Sequence, residues 1–261
     1  MKIGFQTANY FARATGFKSG MDEWGEAERK VIENFSLAEF ERICSDIKGA
    51  GFQSIELWMG HAFPKFMTPY MAEELKTILE KHRLDVYSFS CSLGDPIHYP
   101  RWTRLCFETA KMLGIDLITS GISKESAPVI YSLCKEFGVR VAAENHPEKH
   151  PEEIRAVIGD YGDLIGACVD TGWFGTQGFD APKALMYLRE NLINVHLKDV
   201  KEIGRHNPVE LGTGVANISE CVDVLKEIGY NHTISIEQES GQYDPTDECA
   251  TALTWVTERL K

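Results

Sequence analysis

The stretch Gly229-Tyr-Asn-His-Thr-Ile-Ser-Ile-Glu237 decides the fold. It follows an amphipathic segment, so Gly229 is placed to close a helix in the left-handed conformation, and Thr233 to Ile236 then form a short run built for a strand. An acid, Glu237, stands at the end of that run. The same order of helix, glycine, strand and polar terminus recurs at Gly51, Gly114, Gly138 and Gly166. Helix starts are marked as well. Ser36 with Glu39 and Asn217 with Glu220 have capping-box spacing, while Pro182 after Asp180 and Pro245 after Asp244 sit where a first helical turn accepts proline. Strands are expected near residues 2–8, 54–59, 85–91, 116–121, 139–146, 167–172, 193–198 and 232–239, with helices between and after them. Eight such units close a parallel barrel, so the expected fold is α/β, a single (β/α)8 domain over residues 1–261.

Composition bounds the function. The chain has 261 residues, 43% of them hydrophobic, which suffices for one large core. A formal charge of −12 and the lack of a Lys/Arg stripe argue against nucleic acid or an anionic membrane as partner. The opening MKIGFQTANY is itself strand-like and lacks the zones of a signal peptide, and no apolar run approaches a membrane span, so a cytoplasmic protein is expected. Seven cysteines without CxxC spacing read as small buried hydrophobes, not as a zinc or disulfide framework.

Glu237 has three counterparts. Glu144 follows Val139 to Ala143, Asp170 follows Ala167 to Val169, and His196 follows Ile193 to Val195. Alternation sends Val141, Ala143, Val169, Ile193, Val195, Ile234 and Ile236 outward to the helices, and Ala142, Cys168, Asn194 and Ser235 inward. The inner face is thus small and polar, and ends in charge at the rim where barrel enzymes keep their chemistry. A single Glu at a strand end more often pairs with Lys or Arg. Four residues of metal-binding types on four successive strands point instead to one shared cation, because buried carboxylates need a cation or strong hydrogen bonds to stay ionised. Three hard carboxylates with one imidazole suit Mn²⁺ best, with Mg²⁺, Co²⁺, Fe²⁺ and Zn²⁺ as alternatives.

The segments AAENHP (142–147), VDTGWF (169–174), VHLKD (195–199), LGTG (211–214) and SIE (235–237) resemble the xylose isomerase-like barrel superfamily of sugar and sugar-phosphate isomerases, epimerases, inosose dehydratases and abasic-site endonucleases. The resemblance covers essentially the whole chain. It implies that Glu144, Asp170, His196 and Glu237 bind one divalent metal, and that Glu144 and Glu237 also act as acid and base. Such a site stabilises an enediolate when the proton next to a carbonyl leaves. Delivery to the same carbon gives epimerisation, delivery to the old carbonyl carbon gives isomerisation, and loss of a β-hydroxyl gives dehydration; the ligand set does not choose. Isomerase or epimerase is the first reading, a dehydratase of an inosose or 3-keto sugar or glycoside the second, and a non-catalytic sugar-binding barrel the third.

Other residues bear on the substrate, a small carbohydrate. His146 is either a base or ligand to a sugar hydroxyl, or a rim histidine bonded to a loop carbonyl. Lys198 either holds a substrate oxygen or pairs with a carboxylate. Glu56 either binds hydroxyls or steers His196, and Trp58 either packs on a sugar ring or plugs the barrel. His61 and His98 are candidates for a multi-zinc site only in company. Many relatives carry histidine where this chain has Trp173, so a hydroxyl contact or zinc ligand is missing there, and Trp173 with Phe174 offers an apolar wall. Arg205 and His206, in the loop after His196, are further polar contacts. Finally, residues 9–35 form a long connection with Tyr10, Phe11, Phe17 and Trp24, leaving the first strand at the catalytic rim. It is either a lid or contact to a homo-oligomer or small partner subunit, or a solvated insertion with a helix near Glu26 to Ile32.

Overall fold

The computed structural model describes residues 1–261. Seven parallel strands precede the last helices: β1 (Lys2–Gln6), β2 (Ser54–Trp58), β3 (Asp85–Ser90), β4 (Leu117–Ser120), β5 (Arg140–Glu144), β6 (Ile165–Asp170) and β7 (Leu192–Leu197). A small antiparallel hairpin, β8 (Asp199–Glu202) and β9 (Arg205–Val209), intervenes before β10 (Thr233–Ile236) closes the barrel between β7 and β1. Around it run α1 (Trp24–Glu33), α2 (Leu37–Gly49), α3 (Pro69–His82), α4 (Pro100–Leu113), α5 (Ala127–Phe137), α6 (Pro151–Ile158), α7 (Thr171–Gln177), α8 (Ala181–Leu188), α9 (Ile218–Glu227) and α10 (Thr246–Leu260). The expected single (β/α)8 barrel is therefore the architecture, and the hairpin is an addition that polar Arg205-His-Asn-Pro-Val209 did not announce.

Local signals held where a single backbone conformation was at stake. Gly114 and Gly138 end α4 and α5 at φ 74° and 65°, and Ser36 Oγ accepts the Glu39 N–H at 3.2 Å. Three signals did not. Asn217 is itself left-handed (φ 53°), so its side chain does not cap α9. Pro245 is the residue before α10, not in its first turn. Gly166 lies inside β6, and α6 ends instead at Gly159 (φ 46°).

Gly166 also explains a side-chain placement. The β6–β7 ladder slips between Ala167 and Cys168: Ala167 faces Leu192 but Cys168 faces Asn194, leaving Ile193 as an extra residue. Ile193 then packs inward with Leu117, Ala142 and Cys168, against the outward expectation, and a Cβ on Gly166 would lie 2.6 Å from its Cδ1. The other outward residues join one continuous apolar core between barrel and helices, containing Val141, Ala143, Val169, Val195, Ile234 and Ile236. All seven cysteines are buried and unpaired. No helix is long and apolar enough to cross a membrane.

The connection after β1 is packed at its start, while residues 13–30 are mostly half-buried or exposed and carry the expected helix as α1 (Trp24–Glu33). Tyr10, Phe11 and Ala12 are fully buried. The Asn9 side chain clamps the end of β10, donating to Ile236 O at 3.0 Å and accepting from Gln238 N at 2.7 Å. Ser19 N donates to Gly241 O at 2.9 Å, and α1 carries Trp24 over the barrel mouth. The segment forms a roof at the C-terminal rim.

Candidate metal centre

Strand ends bring the four residues together. Glu144 closes β5, Asp170 closes β6 opposite His196 of β7, and Glu237 follows β10, whose Ser235 also pairs with His196. One donor atom from each lies within 4.8 Å of the others, and all four side chains are buried. His196 Nδ1 is 2.7 Å from both Glu144 Oε1 and Glu237 Oε2. Yet the angles are not those of hydrogen bonds: His196 Nδ1, Glu237 Oε2 and Asp170 Oδ2 have no hydrogen-bond partner. Orphaned buried donors and acceptors are costly. Their convergence on one point is the arrangement a single cation would satisfy, and three carboxylates with an imidazole are a chemically suitable set.

Neighbours hold these atoms in place. Asp170 Oδ1 caps α7 by accepting Trp173 N at 2.9 Å, which turns Oδ2 toward the cluster. Asn145 locks β5 to β6, accepting from Asp170 N at 2.9 Å and donating to its carbonyl at 3.0 Å. His196 Nε2 lies 2.9 Å from Glu56 Oε2, leaving Nδ1 for the cluster. Glu56 is fully buried and also accepts from Asn194 Nδ2 at 3.0 Å and from Ser235 Oγ. Burial pushes its carboxyl up, but His196, with hydrogen bonds from Ser235 and Thr119, outweighs that and holds it below the usual carboxylate range. Glu56 sits beneath His196 and away from the cavity surface, a place for steering the imidazole and not for touching a hydroxyl.

Lys198 lies at the cavity wall, its ammonium 2.7 Å from Glu237 Oε1, 2.7 Å from Glu239 Oε2 and 3.5 Å from Asp170 Oδ2. Its stem crosses Gly172, where a Cβ would come within 2.6 Å of Cγ. Burial pushes Asp170 up to about 6 and Glu239 up to about 7, with Lys198 offsetting part of each shift. For Glu237 burial is outweighed by Lys198 and His196, which hold it below the usual range. Asp170 and Glu239 therefore give up their protons closer to neutrality than ordinary carboxylates do.

Above the cluster opens a cavity of about 960 Å³. Trp58 and Trp173 both line it, with Trp24 edge-on to Trp58 at 5.4 Å and His206 stacked on Trp173 at 3.8 Å. His146 also lines it, 3.6 Å from Glu144 Oε2 through Nε2 and edge-on to Trp173. Arg205 stands exposed at the mouth on β9, and not in a loop. Phe174, expected beside Trp173, is wholly buried against Phe179 and does not reach the cavity. His61 is buried edge-on to Trp58, and His98 pairs with Asp95 at the surface; neither joins the cluster.

A family model described as xylose isomerase-like TIM barrel matches residues 44–259. The chain belongs to that family. Among curated proteins, 2-oxo-tetronate isomerase of Haemophilus influenzae (strain ATCC 51907 / DSM 11121 / KW20 / Rd) is 25% identical over 235 residues, covering 75% of this chain and 88% of its own. Among solved structures, the probable 3-DHS dehydratase AsbF of Bacillus anthracis superposes with a TM-score of 0.72 at 17% identity, over 98% of this chain and 99% of the other. The IOLI protein with a bound zinc atom gives 0.71 at 19% identity, over 100% and 98%.

Within this xylose isomerase-like barrel, three residues around the cluster went unread in the sequence: Asn145, Glu239 and, as the helix cap, Asp170 Oδ1. Glu239 had a signal, since it stands two residues beyond Glu237 and shares its face while the chain stays extended. The roles of Asn145 and of the roof depend on contacts across elements, which no local pattern carries.

Proposed function

We propose that the protein is a divalent-metal-dependent sugar isomerase or epimerase, acting on a keto sugar, sugar phosphate or keto cyclitol by enolisation. The observation that carries this reading is the set of orphaned atoms on Asp170, His196 and Glu237 at the floor of an aromatic-walled cavity. The relationship to 2-oxo-tetronate isomerase and the zinc atom in the IOLI protein support it.

Glu144, Asp170, His196 and Glu237 would hold the cation, for which Mn²⁺ suits the donors best. When bound, it supplies Lewis acidity toward a ketone oxygen and the neighbouring hydroxyl. Glu144 and Glu237 arise from different strands, so one takes the proton next to the carbonyl while the other is placed to return one. Lys198 keeps Glu237 ionised and ready to accept. His146 beside Glu144 orients that carboxylate or carries its proton onward. Trp58 and Trp173 hold the ring and exclude water.

A second reading, loss of water after the same proton abstraction, is favoured by the Lys198–Glu239 pair, which places a proton source next to Glu237 that one-carbon proton transfer does not need. Incubation with keto sugars and inososes in deuterated water separates the two. An isomerase or epimerase yields an isobaric product labelled at carbon, which is the expected result. A product lighter by one water across the accepted substrates would establish the lyase.

A further inference from the structure

An anionic group on a substrate needs a cation or a nest of free backbone N–H groups, and in (β/α)8 barrels phosphates commonly sit at the loops after the seventh and eighth strands. Both places are already filled in this chain. After β7, the Leu211-Gly-Thr-Gly214 turn would present such N–H groups, but the fully buried Asp199 carboxylate takes them. It accepts from Gly212 N at 3.0 Å, Gly214 N at 2.8 Å, Ala216 N at 3.0 Å and Val200 N at 2.9 Å. A Cβ on Gly214 would stand 2.4 Å from Asp199 Oδ1, so the glycine serves this internal carboxylate. After β10, Glu239 faces the cavity, and the start of α10 is occupied by its own acids: Asp244 Oδ1 accepts Thr246 N at 3.0 Å, and Asp247 and Glu248 fill the first turn.

The cavity's cations are committed or peripheral. Lys198 is held among Glu237, Glu239 and Asp170. Arg205 is exposed at the mouth. The roof adds Asp22 and Glu28, which line the cavity without ion-pair partners. What the walls offer instead is the indoles of Trp24, Trp58 and Trp173, and carboxylates that accept hydrogen bonds from hydroxyls.

We infer that the cavity selects an uncharged polyhydroxy ketone, whether a free keto sugar, a keto cyclitol or a keto glycoside, and discriminates against sugar phosphates. This rests on the enolisation reading for the chemistry, but concerns affinity and so can fail separately. Calorimetry on the Mn²⁺-saturated protein at low ionic strength compares matched pairs, D-fructose with D-fructose 6-phosphate and D-ribulose with D-ribulose 5-phosphate. The neutral member should bind tighter by about tenfold or more, the scale of a few screened like-charge contacts, with the gap shrinking as salt rises. The Asp22→Asn/Glu28→Gln double variant should narrow the gap by improving binding of the phosphate esters. Equal or tighter binding of the esters overturns the inference, and its loss in Arg205→Gln would name Arg205 as the anion's partner. No affinity for either member of any pair also overturns it. Absence of deuterium exchange into every bound sugar would sink the enolisation reading and leave the charge selectivity standing.

Discussion

His196 has two nitrogens with separate tasks: Nε2 meets Glu56, and Nδ1 is left facing three carboxylates. Converting Glu56 to Gln removes the charge that orders the imidazole while keeping its size, so metal affinity should fall about 10- to 100-fold. Metal titration of Glu56→Gln reads this directly, and wild-type affinity would remove Glu56 from the steering role. Asp170 and Glu239, raised to about 6 and about 7, make a second, pH-linked prediction. Unfolded carboxylates titrate near pH 4, so between about pH 4 and 7 the folded, metal-free protein binds more protons at these groups than the unfolded chain does. Their contribution is thus fully present below pH 4 and is lost as pH rises through the folded values. Buried His61 and His206, held below the usual imidazole range, act in the opposite direction over the same window, so the readout is a difference between proteins: in thermal melts of the metal-free chain, the stability of wild type relative to Asp170→Asn should decline as pH rises from about 4 to 7. A difference that does not change with pH would contradict the assignment. At this scale the four cluster residues were legible because each ends a recognisable strand. Glu56 carried two readings, steering or hydroxyl contact, and only its position beneath His196 favours one.

Elements differ in how much of them a local pattern can carry. Barrel strands and their glycine-closed helices were legible because each rests on a contiguous run with one period, as in Gly138 to Glu144. The β8–β9 hairpin was not, since Arg205-His-Asn-Pro-Val209 lacks alternation and owes its pairing to Asp199–Val209 and Val200–Pro208 neighbours. The Gly166 reading failed because a glycine needed for close approach to Ile193 looks the same in sequence as one needed for a turn. The roof sits between these cases: its aromatic residues marked it as more than a linker, while its anchoring at Asn9 and Ser19 depends on residues over 200 positions away. Trp24 stacks on Phe11 and meets Trp58 edge-on at the cavity. Trp24→Ala should therefore raise KM about five- to tenfold, within the range of a lost aromatic contact, with metal affinity intact. Unchanged kinetics would reduce the roof to a structural cover.

For the molecule as a whole, the quartet couples chemistry to stability. A cation that binds only the folded barrel raises its stability by about 4 kcal/mol at a thousandfold excess over Kd, so melting temperature should climb with added Mn²⁺. The barrel's closure places donor atoms from four strands within 4.8 Å of one another, and its long-range logic was legible because the same unit repeats eight times around it. The substrate was not legible in the same way, since the cavity is assembled from the roof, the hairpin and several rim loops, each set by tertiary contacts. Metal analysis of purified protein, wild type beside Asp170→Ala and His196→Ala, tests the central claim most directly. One divalent ion per wild-type chain and loss of occupancy in both variants is the predicted result; full occupancy in both variants would contradict the account.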